Sequence, residues 1–316
     1  MLPTSTGLAA VMVLFSGMLP GCGPAGTTFT RVTAEGGVSN YDMSVNEGNG
    51  AYTEPSTPYL FTTGWKQGER TSTHPVQVAT LTPTTTEHFH GDQALQFQID
   101  DHLESGTAAY RVDLNLQQPK DSFQAGVVQP NDRYLGFAVK IDPSYYALPQ
   151  GNNEIVIAQW HQASPEHPPV ALTVFPPGYA AAVGFPATPA GRFVLEIRND
   201  AHNAMTQTPG KPLLYDLGPV TTGSWLTWVM HVRAGLQTNG EVAVWENERA
   251  LVDVTDQRVG YDPGNPQYAH PPYGAFDYVN ICIYREHGAN HQRLFFDEAK
   301  FADTYSAADP NFSPTR

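Results

Sequence analysis

Three short segments of the chain place polar side chains at every second position of what we predict to be β-strands. They are Tyr110–Leu114, Ile157–His161 and Tyr278–Tyr284. Residues two apart on a strand share a face, and the positions between them are apolar and suit a core. The polar face offers an arginine, a glutamine, a histidine and a tyrosine. These are the groups needed to neutralise a sugar carboxylate and to move a proton beside it.

The candidate residues share this polar face and are, in chain order, Arg111, Asp113, Gln159, His161, Tyr278, Asn280, Cys282 and Tyr284. We predict that Trp160, which alternates with them, and Trp228 of a later segment are core residues. Cys282 is predicted to be a small packed residue rather than a nucleophile, since a single cysteine in a strand usually packs.

Two further polar pairs alternate on predicted strands. They are Glu196 with Arg198, and His231 with Arg233. Such pairs could line a cleft, but we predict that both lie on solvated faces.

The chain of 316 residues contains 28 Gly and 27 Pro, many of them between short apolar runs. No long stretch has helical periodicity, so the pattern predicts an all-β, two-sheet sandwich. Asn239-Gly240 predicts a hairpin, and Glu246–Glu248 a second tight turn. The long loops Gly178–Gly191 and Tyr261–Gly274 are expected to rim a binding cleft.

Charge limits the class of partner. Only 15% of the residues are charged, the net charge is −14, and no basic run is present, which argues against nucleic acid. An acidic polysaccharide would need a local island of arginine, histidine and amide groups within this acidic surround.

The N-terminal residues predict export. An apolar run, Leu8–Leu19, leads into Leu19–Cys22, which resembles a bacterial lipoprotein cleavage site with Cys22 as the lipidated residue. No Lys or Arg precedes Arg31, which departs from that pattern. We expect a signal over residues 1–22, a tether and irregular segment over 23–60, and one sandwich domain over 61–316. The expected location is the bacterial outer membrane or cell surface, or the medium, with membrane contact only through the lipid anchor. We expect a monomer.

Several motifs together resemble a known family. Gly223–Trp225 followed by Asn239–Asn247 resembles the "G-x-W … G-x-v-x-v-W-x-N-G" run of concanavalin-like (lectin-like) jelly rolls. It is most similar to that of polysaccharide lyases of the heparinase I, glucuronan lyase and alginate lyase type. Gln159–His161 looks like their "Q-x-H" strand, Tyr278–Tyr284 like "Y-x-K-x-G-x-Y", and Arg111–Leu114 like "R-x-E-L". The resemblance covers roughly residues 90–302, with Asn280, Cys282 and Asp113 in place of the family's Lys, Gly and Glu.

The resemblance implies a jelly roll with a concave substrate cleft and cleavage of a uronate polysaccharide by β-elimination. The enzyme would remove the C5 proton of a uronic acid and expel the 4-linked sugar. Arg111, Gln159, Asn280 and Tyr278 are the implied substrate-binding residues. Asp113 would hold Arg111 in place.

Two side chains are expected to move the protons. His161 would be the base, because the reference pKa of histidine is about 6.5. Tyr284 would be the acid for the leaving oxygen, because a phenol with a reference pKa of about 10 still holds its proton at neutral pH.

Two other functions stay open. The same sandwich could be a non-catalytic carbohydrate-binding surface module, which the loss of the family's Lys at Asn280 would favour. A laminarinase-type glycoside hydrolase would need carboxylates on one strand face, as in "E-x-D-x-x-E", and we find no such strand.

No cofactor is expected to be required. His88 and His90 alternate, but we predict a surface loop there rather than a metal site. Asp297, in Asp297-Glu298, resembles the place where some relatives hold a structural calcium through oxygen ligands, so it is a weak calcium candidate.

Overall fold

The structure of the chain is a computed structural model, and it describes residues 28–32, 61–66, 79–99, 110–116, 132–148, 154–161, 167–199, 212–261, 278–285 and 291–312. The predictions for Cys22, for the export segment 1–22 and for most of the tether lie outside these residues. Most of the predicted loop Tyr261–Gly274 lies outside them as well.

The described residues form strands almost throughout. In chain order these are β1 (Thr28–Val32), β2 (Phe61–Lys66), β3 (Ala79–Thr84), β4 (Ala94–Ile99), β5 (Tyr110–Leu116), β6 (Asp132–Tyr146), β7 (Ile155–His161), β8 (Val170–Phe175), β9 (Arg192–Ile197), β10 (Leu213–Pro219), β11 (Trp225–Arg233), β12 (Gly235–Glu246), β13 (Arg249–Val259), β14 (Tyr278–Arg285) and β15 (Gln292–Ala302). The two described helices are short: α1 (Pro177–Ala182) and α2 (Tyr305–Ala308). Neither is long and apolar enough to cross a membrane.

The strands form two antiparallel sheets, which confirms the predicted all-β sandwich. The back sheet has the order β13-β12-β11-β6-β15-β4-β3, with β1 added along β15. The front sheet has the order β10-β9-β8-β7-β14-β5-β2. The core lies between them and contains the fully buried Trp160 and Trp228, as predicted.

Strand alternation in β14 defines the second surface of the front sheet. Val279, Ile281 and Ile283 all belong to the core between the sheets. Asn280 and Cys282 therefore lie on the opposite surface, which we call the front face. Fully burying each such aliphatic side chain stabilises the fold by about 1.5–3 kcal/mol, so a register slip that exchanged the two faces would be costly.

The turn predictions have different outcomes. Asn247 and Glu248 have φ values of 48° and 65°, which a tight hairpin of type I′ requires, and they join β12 to β13 as predicted. Asn239-Gly240 does lie where the chain reverses before the Arg233–Glu241 pair, but it lies within β12, and Gly240 pairs with Gln257 of β13 instead of closing a two-residue turn. A Cβ at Gly240 would lie 2.7 Å from the carbonyl oxygen of Gln257, so glycine permits a close backbone approach there.

Several elements differ from the sequence expectation. The strands β2, β3 and β10 were not predicted, and the predicted loop Gly178–Gly191 contains most of α1. That helix begins at Pro177, whose fixed φ suits a first helical position, and it buries Ala180 against Phe175 and Val194. It therefore covers part of the front face.

The helix α2 packs on the back sheet over a position that has no side chain. A Cβ added to Gly136 of β6 would lie 1.8 Å from the carbonyl oxygen of Ala308. The atom that would clash belongs to the backbone of α2, so rotation of a side chain cannot remove the clash. Beside it, buried Lys300 donates hydrogen bonds from Nζ to the carbonyl oxygens of Asp309 and Phe312, at 2.7 and 2.6 Å.

Gly136→Ala is expected to lower the free energy of unfolding by about 1–3 kcal/mol, because α2 must move to admit the methyl group. Urea unfolding followed by circular dichroism measures the loss. In a truncated chain that ends at Ala302, α2 is absent. Gly136→Ala should therefore lower the free energy of unfolding much less in that chain. Equal losses in the two backgrounds would contradict this account of the packing.

Candidate active site

The three segments that carry the candidate residues become neighbouring strands. β14 lies in the middle of the front sheet, with β7 on one side and β5 on the other, and both pairings are antiparallel. The sheet thus brings together the polar positions that the sequence predicted would share a face. The side chains of Arg111, His161 and Tyr278 lie outside the described part of the chain, so their place is given by strand register alone.

The register assigns each candidate a partner directly across from it. Tyr278 of β14 lies opposite His161, and Asn280 lies opposite Gln159. Tyr284, near the other end of β14, lies opposite Arg111. Residues directly opposite each other on antiparallel strands have Cβ atoms about 4.5–5.5 Å apart, so each pair can act on one group of a ligand.

This register separates the predicted base, His161, from the predicted acid, Tyr284. Tyr284 lies six positions beyond Tyr278 on β14, and at a rise of about 3.4 Å per residue that is roughly 20 Å. His161 is beside Tyr278, and Arg111 is beside Tyr284. The strand pairing therefore places the predicted base and the predicted acid at opposite ends of β14. The cause is the antiparallel direction, which sets the end of β7 against the start of β14.

The middle of the front face is a row of buried amides. Gln159 and Asn280 are only 2% and 0% exposed, although both are polar. They are direct partners across β7 and β14, about 7 Å along the strands from the His161–Tyr278 pair. We call Gln159 and Asn280 the amide pair. Amide groups donate hydrogen bonds without carrying charge, so the pair can bind a carboxylate without a buried cation.

A small apolar cluster lies between the amide pair and the Arg111–Tyr284 end. It consists of Val156, Ala171 and Cys282, with the ring of Tyr284 packed against it. Cys282 is fully buried, and its thiol contacts the carbonyl oxygen of Val156 at 3.4 Å. It is a packed residue, as predicted, and it lies on the front face rather than between the sheets.

The strand β9 adds a charged pair that sequence reasoning placed in solvent. Glu196 is 1% exposed and Arg198 is 9% exposed, and their side chains form a direct ion pair. Core residues Leu195 and Ile197 alternate with them, so both lie on the front face. The prediction of a solvated face was wrong for this pair. The only available signal was the Glu-Ile-Arg alternation, which cannot tell a solvated face from a covered one.

The residue Tyr179 of α1 adjoins this charged pair. Burial raises the pKa of its phenol, the charges of Glu154 and Glu196 raise it further, and Arg198 lowers it. Tyr179 therefore stays protonated at neutral pH. Its ring stacks on Phe175 with centroids 4.3 Å apart, which fixes α1 over the front face.

The second alternating pair, His231 with Arg233, lies on the back sheet and takes no part in this site. His231 is buried, its Nε2 is 2.5 Å from Asp132 Oδ1, and its ring stacks on Tyr134. Arg233 forms a 2.8 Å ion pair with Glu241. The prediction of a solvated face was thus wrong for the histidine.

The carboxylate of Asp297, the calcium candidate, binds backbone N–H groups. Its Oδ2 accepts hydrogen bonds from Phe89 and His90, both at 3.0 Å, and its Oδ1 accepts one from Glu298 at 2.8 Å. Burial raises the pKa of Asp297, against the effect of these donors. Across the described ranges, no group of three or more His, Cys, Asp and Glu side chains is placed to hold a metal ion. Asp297 ties the segment before β4 to β15.

Comparison with known sequences places this site in a family. The sequence profile of the polysaccharide lyase family matches residues 61–300, which include the whole front sheet, all of the front-face candidates and the back sheet except β1 and the end of β15. The chain belongs to the polysaccharide lyase family. It is therefore an enzyme, a polysaccharide lyase. A comparison with curated proteins gave no match.

A comparison with solved structures found chains of similar fold. An endo-β-1,4-glucuronan lyase from the fungus Trichoderma reesei has a TM-score of 0.56 at 14% identity, covering 81% of this chain and 100% of that one. A marine alginate lyase from Aplysia kurodai gives 0.41 at 9% identity, covering 70% and 86%. At these identities the glucuronan lyase shows the jelly-roll fold alone.

Asp297→Asn is expected to lower the free energy of unfolding by about 1–3 kcal/mol, because an amide N–H₂ would face backbone donors that now meet a carboxylate oxygen. Urea unfolding measures the change. Asp253→Asn, at an exposed position of β13, is the matched control and should change stability by less than about 0.5 kcal/mol. Two results would contradict this role: an unchanged midpoint, or a calcium-dependent rise in melting temperature that the Asp297 variant abolishes.

Proposed function

We propose that this polysaccharide lyase cleaves a uronate-containing polysaccharide, and that the amide pair binds the carboxylate of the sugar that loses its C5 proton. The observation that supports this is the pairing of two buried amides, Gln159 and Asn280, next to a histidine–tyrosine register pair. A C5 proton beside a carboxylate is weakly acidic, because the carboxylate resists further negative charge. Hydrogen bonds to the carboxylate stabilise the enolate-like state, and such preorganised donors act most strongly where water is excluded.

The His161–Tyr278 pair then transfers the protons. Direct cross-strand partners are close enough to reach adjacent atoms of one sugar, and the C5 proton and the 4-linked oxygen are separated by a single bond between their carbons. His161 accepts the C5 proton, and Tyr278 donates its phenol proton to the leaving oxygen. This assignment gives Tyr278, first proposed as a substrate-binding residue, the role that the sequence had suggested for Tyr284.

The other end of β14 binds a further part of the polymer. Arg111 lies opposite Tyr284 there, about 14 Å along the strand from the amide pair. A guanidinium at that distance suits the carboxylate of another uronate in the same chain. Asp113, two positions further along β5, is the residue proposed to hold that guanidinium in place.

The substrate proposal rests on charge and on one relative. Asn280 occupies the place of the family's Lys, so the front face has one cation fewer, which favours a uronate polymer over a highly sulfated glycan. The similar fungal structure acts on a β-1,4-glucuronan. That polymer is the first to test.

The purified chain is expected to release unsaturated sugars from β-1,4-glucuronan, with less or none from alginate and from a heparan-type polymer. Ultraviolet absorbance of the new double bond measures the reaction. Absence of product from all three, with binding to any of them retained, would show that the front face binds uronates without cleaving them.

The register favours Tyr278 over Tyr284 as the acid, and substitutions at the two tyrosines test this. Tyr278→Phe and His161→Ala are each expected to lower kcat by at least about 100-fold, which is the typical effect of losing a positioned acid or base. Tyr284→Phe should mainly raise KM. Tyr145→Phe, on the back sheet, is the matched control and should retain full activity. A large loss of kcat in Tyr284→Phe with near-normal turnover in Tyr278→Phe would reverse the assignment.

A further inference from the structure

Two side-chain oxygen atoms in one row of the front face have no hydrogen-bond donor among the described residues. They are Oε1 of Glu196 and Oε1 of Gln159, and both are buried. Buried polar atoms without a partner are rare in folded proteins, because each loses its bonds to water and gains nothing in return. Two such acceptors in one row of the sheet therefore indicate that a hydrogen-bond donor from outside the described residues binds there.

The two acceptors lie in one row across the sheet. Gln159 of β7 pairs with Ala171 of β8, and Ala171 pairs with Glu196 of β9. Their backbones are separated by two strand spacings, about 10 Å, and only the methyl group of Ala171 lies between them on this face. Ala171 is the smallest side chain of the three, with an acceptor on each side, and we call its position the recess.

The charge of this recess limits what it can bind. Oε2 of Glu196 is held by Arg198, whose other nitrogen, Nη1, reaches the carbonyl oxygen of Pro168 at 3.4 Å. The guanidinium of Arg198 therefore forms its ion pair with Glu196, and the Glu196–Arg198 pair has no net charge. A second carboxylate or a sulfate would meet the Glu196 oxygen and be repelled. A hydroxyl group can donate a hydrogen bond to it.

We propose that Glu196, positioned by Arg198, binds an unsubstituted hydroxyl group of a sugar. This sugar is the neighbour, in the polymer, of the uronate that the amide pair binds. The hydroxyl donates to Glu196 Oε1, while Gln159 accepts from the same sugar ring. This inference rests on the proposed function for the identity of the polymer. It adds a specificity rule: the enzyme selects polymers whose hydroxyls are free at this position and rejects those that are esterified or sulfated.

The rule follows from the energetics of a buried acceptor. A hydrogen bond to a charged group contributes more than one between neutral groups. An ester removes the donor and adds bulk at the recess, where Ala171 is only 1% exposed. Sites built to bind a hydroxyl discriminate strongly against ligands that lack it, since the polar group of the protein is then left without a partner.

The test compares one polymer in two forms, β-1,4-glucuronan and the same polymer after chemical O-acetylation. The wild type is expected to prefer the free polymer by roughly 10–100-fold in kcat/KM, the range expected for one hydrogen bond to a charged group. Glu196→Gln should lose most of that preference, because the charged acceptor is gone. Asp216→Asn is the matched control. It also removes a carboxylate paired with an arginine, Arg192, but at the partly exposed edge strand β10. It should keep the wild-type ratio.

If Glu196→Gln does not fold, Glu196→Asp provides the second variant. It keeps the charge and withdraws the carboxylate by one methylene, so KM for the free polymer should rise while the rate on the acetylated polymer stays the same. A wild-type preference ratio in whichever variant folds would overturn the proposal. So would equal rates of the wild type on the two polymers.

Failure of the proposed function gives a different result. If the wild type releases no unsaturated sugar from either form, the elimination proposal fails, and the subsite is then tested by calorimetric titration of both polymers. Tighter binding of the free form by the wild type, lost in Glu196→Gln, would support the hydroxyl subsite by itself. Equal affinities would overturn it.

Discussion

The backbone pairing of β14 with β7 and β5 sets every distance in the proposed site. The hydrogen-bonded ladder fixes Asn280 opposite Gln159 and Tyr278 opposite His161. Core packing holds that register, because Val279 and Ile281 must face Trp160 and its neighbours between the sheets. A slip of one residue would bury the polar row and expose the apolar one. The geometry of the proposed site is therefore maintained by apolar residues of the core.

The front face shows how a strongly acidic chain can bind an acidic polymer. Arg111 and the amide pair lie on the front face, whereas its buried carboxylate, Glu196, is neutralised by Arg198. Net charge describes the whole surface and sets solubility, but binding depends on the groups within a few ångströms. The exclusion of water from this surface strengthens each of those contacts.

The sequence predicted the fold and the shared face of the candidate residues better than the arrangement of those residues. Alternation in Ile157–His161 and Tyr278–Tyr284 identified the strands, their faces and the core tryptophan. It could not give the register between β7 and β14, since that depends on contacts between segments more than a hundred residues apart. The sequence suggested His161 and Tyr284 as base and acid, whereas the antiparallel pairing places His161 opposite Tyr278.

The misplacement of Glu196 and Arg198 has a different cause. Local pattern distinguishes the two faces of a strand but not what covers each face. Burial of this pair depends on tertiary packing, which includes α1, a helix that the sequence suggested would be a loop. The predictions that failed therefore concern packing between distant elements.

A crystal structure of the His161→Ala variant with a bound uronate oligosaccharide tests the central claim most directly. The account predicts that one carboxylate accepts hydrogen bonds from the side chains of Gln159 and Asn280, with the scissile oxygen within hydrogen-bond distance of Tyr278. A carboxylate bound at Arg111, with the scissile oxygen beside Tyr284 and the amide pair unoccupied, would contradict it.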